Sequence, residues 1–295
     1  MRRLDLSHNK LRILPTRFIF NVTSIDRLLI TNNHLEHLEN DALYEVCPPP
    51  PFPPSFHSVY SIRPLYSASL HHLTLSHNQL QTVEEDLLEG AHSLSTLSLS
   101  HNQLLSIHAN SFSSVPSLSS IDLSHNHLRL IRKGTFSRQR SISFLDLSHN
   151  ALVSLHPEGI RCVSGSLETL HLSDNYITSV DAIQFGSLTN LRRLVLAGIP
   201  LGVTNYNLSS LLSSLPPLDR LAIHINSPFL VDELSTADLR SLRSLSITGD
   251  QLREIDTGAF RRLRGFDFDL SITRTNITSF QPAIFDTLTA IQVTS

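Results

Sequence analysis

Apolar residues fall along this chain in one recurring template. It runs leucine, two free residues, leucine, one free, leucine, two free, asparagine, one free, leucine. "LSTLSLSHNQL" (Leu94–Leu104) and "LSSIDLSHNHL" (Leu118–Leu128) are clean copies. The fourth position is held by Leu4, Leu28, Leu73, Leu97, Ile121, Leu145, Leu170, Leu194, Leu221, Leu245, Leu270 and Ile291, and eight of the eleven intervals are 24 or 25 residues. Positions four and six are apolar with a free residue between them, the alternation of a short strand with one buried face. A second apolar spine falls eight residues beyond position eleven, at Phe112, Phe136, Phe185, Phe260 and Phe285, where the rings would fill the core beneath the convex side.

No unit of this size buries its leucines alone. Burial stabilises by roughly 1.5–3 kcal/mol per leucine, so units stack and their strands form a parallel sheet along one side of a solenoid. The count is eleven repeats plus a truncated twelfth, and the dominant period of 24 lies within the leucine-rich repeat range. The ninth-position asparagines are Asn9, Asn33, Asn78, Asn102, Asn126, Asn150 and Asn175. They stand where the chain leaves the strand with unpaired backbone groups, and their amides can satisfy those groups in their own and the next turn.

"LDLSHNKL" (Leu4–Leu11), the near-constant period and the Phe spine resemble the typical subclass of animal leucine-rich repeats. That subclass builds the ectodomains of Toll-like receptors, chaoptin and Slit-like proteins, and the small leucine-rich proteoglycans. The likeness covers Met1 to about Leu43 and Leu70 to Val293. The implied fold class is α/β: a leucine-rich repeat horseshoe with a parallel sheet on its concave face and short helical or irregular segments on its convex face. The resemblance further implies binding of other macromolecules, usually outside the cell, and no chemistry.

Four features depart from the template or the resembling family. Residues 1–43 hold repeats one and two, and residues 70–295 the remainder. Between them lies a proline-rich insertion at residues 44–69, in which Pro48–Pro51 favours a polyproline II conformation; it reads as a disordered loop, a segment that messenger processing would remove, or a docking peptide for an aromatic groove. The cysteine-rich end caps of the resembling family are missing, and Cys47 and Cys162 stand too many turns apart for a disulfide unless the insertion folds back. The opening "MRRLDLSHNKL" has no signal-peptide architecture, so the chain reads as a fragment or an incomplete gene model. After Asn175 the ninth position passes to Ile199, Asn226, Asp250 and Thr275, which predicts a uniform arc to about residue 190 and a looser one beyond.

Candidate chemistry is confined to the free positions. The residue before the asparagine is His77, His101, His125 and His149 in four successive repeats. Such a row could chelate a metal or sense pH, but equivalent rings pointing one way do not converge on an ion. No metal site or cofactor is therefore expected, and the position reads as one that tolerates polar side chains. Outward-facing strand residues offer a better ligand site: Asp122 and Asp146 in the first half, and Arg192, Arg193, Arg220 and Arg243 in the second. Arginine suits carboxylate or sulfate partners.

The sequence holds no Gly-rich phosphate loop, GxSxG elbow or HExxH motif, so no enzyme and no catalytic residue is expected. A net charge of −3 gives no general attraction to nucleic acid. No apolar run spans a membrane, so membrane attachment would need segments absent from this chain. Sequons at Asn21, Asn207 and Asn276 match about the number chance supplies, so the extracellular expectation rests on the resemblance. Two readings remain: an extracellular receptor or adhesion ectodomain recognising a protein or glycan, and an intracellular scaffold with a proline-rich docking loop.

Overall fold

The computed structural model describes residues 2–15, 18–19, 25–39, 42–43, 70–85, 87–155, 157–177, 185–199, 208–225, 229–230, 234, 239–255, 258–260, 263, 268–281 and 284. The insertion at 44–69, Cys47, Phe285, Asn21 and Asn207 lie outside them.

Each repeat contributes one strand to an eleven-stranded sheet whose spatial order follows the chain. The strands are β1 (Arg3–Asp5), β2 (Arg27–Leu29), β3 (His72–Thr74), β4 (Thr96–Ser98), β5 (Ser120–Asp122), β6 (Phe144–Asp146), β7 (Thr169–His171), β8 (Arg193–Leu196), β9 (Arg220–His224), β10 (Ser244–Gly249) and β11 (Asp269–Thr275). All pair in parallel, and fourth-position residues meet their counterparts directly, as Leu97 meets Ile121 and Leu145 meets Leu170. Residues 27–29 and 72–74 pair as immediate neighbours, so the repeats on either side of the long insertion stack without a gap.

Fourth- and sixth-position side chains such as Leu97, Leu99, Leu145 and Leu147 are fully buried, while the free positions between them stay partly open. Across the core, Phe112, Phe136, Phe185 and Phe260 are fully buried, and the first two rings stack 5.5 Å apart. The opposite wall is assembled from pairs of two-residue strands, such as Thr82–Val83 with Ser106–Ile107, and from short helical turns at Pro157–Ile160 and Leu208–Ser214.

Strand pairing continues without a break after residue 190. Strands β1 to β7 have three residues each, whereas β8 to β11 grow from four to seven. His8, Asn32, His77, His101, His125, His149 and Asp174, at position eight, all have φ between 52° and 58°, a left-handed backbone at the turn off the sheet. Gly198 (φ 70°) and Arg274 (φ 55°) hold that position in repeats eight and eleven, whereas Ile225 and Gly249 hold it in repeats nine and ten without positive φ, and β10 extends up to it.

Candidate functional site

The asparagine row is scaffold, and it reaches in the direction opposite to the expected one. Asn126 Nδ2 donates to the carbonyls of Leu123 and Ser124 in its own turn and of Leu99 in the preceding one, at 3.0–3.1 Å. Its Oδ1 accepts the Leu104 N–H, also in the preceding repeat, at 3.0 Å. Asn33, Asn78, Asn102, Asn150 and Asn175 likewise bridge backward, and all six are buried. Asn9 has no described repeat before it and bonds only within its own turn, to Leu6 and Ser7.

The histidines form a continuous stack. Successive rings of His77, His101, His125 and His149 lie 4.0–4.1 Å apart and within 11° of parallel, with their edges exposed. Histidine, asparagine and aspartate tolerate left-handed backbone better than most residues, so this position selects its residues rather than merely tolerating polar ones. Burial within the stack holds His101 and His125 below their ordinary value; neighbouring imidazoles add to the effect and Asp122 opposes it. At one end His149 Nε2 lies 3.4 Å from Asp174 Oδ2. Among the described residues no three His, Cys, Asp or Glu side chains converge as metal ligands.

On the concave face the first-half polar groups are engaged with one another. Asp122 accepts from Ser98 Oγ and Ser124 Oγ at 3.0 and 2.7 Å, and Ser98 continues to Ser76 and Ser100. Asp146 accepts from the Ser148 hydroxyl and N–H, and its second oxygen lies 3.0 Å from His171 Nδ1. Burial pushes the Asp146 carboxyl up, but hydrogen bonds from His171 and Ser148 outweigh it and hold the group below the usual range. His171 Nε2 is buried with no hydrogen-bond partner among the described residues, and its ring meets Phe144 edge-on at 5.4 Å. Sequence reasoning named the two aspartates but missed this network. The signal was the alternation of Ser or Asp at position five with Ser at position seven.

The second half differs. Arg192, Arg193, Arg220 and Arg243 are exposed, and among the described residues none has a carboxylate within 4.0 Å. Arg193 and Arg220 are direct partners across β8 and β9. Asn276 follows β11 exposed, with its amide donating to the Asp250 carbonyl. Cys162 is a free, exposed thiol. Among the described residues no helix is long and apolar enough to cross a membrane.

The family pattern described as Leucine rich repeat matches residues 68–128, 94–152 and 116–165, and a further pattern, Leucine Rich Repeat, matches residues 166–188. No curated protein matches the chain in sequence. Among solved structures, a chain of the Toll–Spatzle complex from Drosophila aligns at 21% identity with a TM-score of 0.62, over 92% of this chain and 33% of that one. A leucine-rich repeat protein of Leptospira interrogans aligns at 22% identity with a TM-score of 0.66, over 98% of this chain and 65% of that one. This chain thus spans one third and just under two thirds of those lengths, and at such identities the likeness speaks to fold. Residues 68–188 carry leucine-rich repeats, and the eleven strands stacked in chain order give the protein the leucine-rich repeat solenoid fold.

Proposed function

We propose that the chain is a non-catalytic macromolecule-binding module, part of a receptor or adhesion ectodomain at the cell surface, which takes a protein or glycan on the concave face of β7 to β10. The supporting observation is the contrast along that face. Asp122 and Asp146 spend their oxygens on neighbouring side chains, whereas the four arginines have no carboxylate within reach among the described residues. Exposed arginines on a rigid sheet are suited to anchoring a partner. The resemblance of the repeats to Toll-like ectodomains supports the compartment, and the concave sheet supports binding over catalysis.

The test is binding to arrays of extracellular proteins and of glycans, comparing the native chain with Arg193→Glu/Arg220→Glu. A ligand held by the native chain and released by the variant, with circular dichroism unchanged, supports the site. Ligands that ignore the variant overturn it. For the compartment, the intact mass of the native protein should fall when N-linked glycans are removed enzymatically; a mass unchanged by that treatment overturns the ectodomain assignment.

A further inference from the structure

Building on that concave-face reading, we infer that the partner is a protein segment presenting one carboxylate beside an apolar side chain, the carboxylate being shared by Arg193 and Arg220. These two are direct partners on adjacent strands, where backbones lie about 4.8 Å apart. Like charges placed so close oppose each other, and among the described residues no acid within 4.0 Å offsets them. A single carboxylate above the pair relieves that repulsion and can accept from both planar guanidiniums.

The neighbouring row excludes a polyanion. One residue earlier, Glu168, Arg192, Asp219 and Arg243 succeed each other along adjoining repeats, linked through backbone hydrogen bonds of 2.8 Å. Their charges alternate in sign at every strand. A sulfated polysaccharide or a nucleic acid carries anions in continuous series, so it would meet Glu168 and Asp219 wherever it met Arg192 and Arg243. A lone carboxylate over Arg193 and Arg220 meets neither.

The next outward-facing row supplies the apolar half. Two residues beyond the arginine pair, Val195 and Ala222 lie side by side and half-buried, and His171 against Phe144 continues this less polar surface toward the first half. Along one strand the step from arginine to this row is about 7 Å, the reach between alternate side chains of an extended peptide. An acidic residue and an apolar residue two apart in such a segment would contact both rows at once.

The experiment is selection of peptides from a random display library on the immobilised full chain, with heparin as a parallel polyanionic probe. The expected result is enrichment of peptides pairing Asp or Glu with a nearby aliphatic or aromatic residue. Replacing that acid by its amide should weaken binding about tenfold or more. So should Arg193→Gln/Arg220→Gln, a milder companion to the charge reversal that guards against misfolding. Peptides without an acidic residue, or no enrichment at all, overturn the inference. Peptides indifferent to both arginines but lost on Phe144→Ser overturn it while sparing the concave-face reading. Indifference to every concave substitution sinks both. Heparin bound more tightly than any peptide, and released by the arginine variants, identifies a polyanion partner instead.

Discussion

Repeats three to seven and repeats eight to eleven solve the same stacking problem differently. In the earlier group each strand has three residues, a left-handed residue holds position eight, and a buried asparagine ties the turn to the repeat before it. Outward-facing side chains there bond sideways to each other, so the surface is internally satisfied. In the later group the described ninth-position residues, Ile199, Asp250 and Thr275, are not asparagine, and the longer strands add backbone pairing between repeats. The difference shows how one period can carry two surfaces: one self-complementary, one with charges left for a partner.

Removing an asparagine breaks the comparison most sharply. Asn126→Ala leaves buried carbonyls and the Leu104 N–H without their partner, at a cost of about 3 kcal/mol. Asp250→Ala, at the same position of repeat ten, removes an exposed carboxylate 3.8 Å from His224 and costs under about 0.5 kcal/mol. Urea denaturation followed by circular dichroism measures both. Equal losses would mean that the bridge carries no weight in the first half.

Within the later group the two glycines at position eight differ from one another at a smaller scale. A Cβ on Gly249 would lie 2.1 Å from the Ile225 carbonyl oxygen, which is backbone and fixed by strand pairing. Gly249→Ala therefore costs about 2–3 kcal/mol. Gly198 has φ +70°, and its Cβ would meet the Asp174 carboxylate, the far end of a side chain that can swing aside. Gly198→Ala costs about 1–2 kcal/mol, chiefly the left-handed backbone. Thermal denaturation of the two variants decides the order; the reverse order would show that backbone strain outweighs the close approach.

The period, the buried leucines, the asparagine row and the phenylalanine spine were legible because each fixed position answers to one physical need repeated many times. Leu97, Asn102 and Phe112 can be placed from spacing alone. The left-handed demand on His101 was not legible, because a dihedral has no periodicity of its own and histidine is also an ordinary polar residue. The longer strands were missed because their length is set by pairing with the neighbouring repeats, five pairs between β9 and β10 and six between β10 and β11, which no single segment encodes. Of the candidate site, the arginines could be named from their positions. That Asp122 and Asp146 were already satisfied depended on side-chain directions across three repeats, which no single segment encodes.

The histidine stack gives the smallest effect and the finest test, because protonation acts on it directly. Burial and neighbouring rings hold His101 and His125 below 6.5. A base depressed in the folded state binds fewer protons there than in the unfolded chain, so stability is full above about 6.5 and falls as pH drops below it. The loss levels off once the folded rings are charged as well. Asp122, Asp146 and Asp174 face the stack and limit the loss. His101→Asn/His125→Asn removes the titration while keeping a residue suited to the backbone, since Asn32 holds the same position at φ 54°. Above pH 6.5 the difference in Tm between native chain and variant should stay constant. Below it the variant should gain by about 1–2 °C, small because both rings are largely exposed and solvent screens their repulsion. Parallel Tm profiles from pH 8 to pH 5 would mean that the stack is a consequence of backbone conformation with no electrostatic cost.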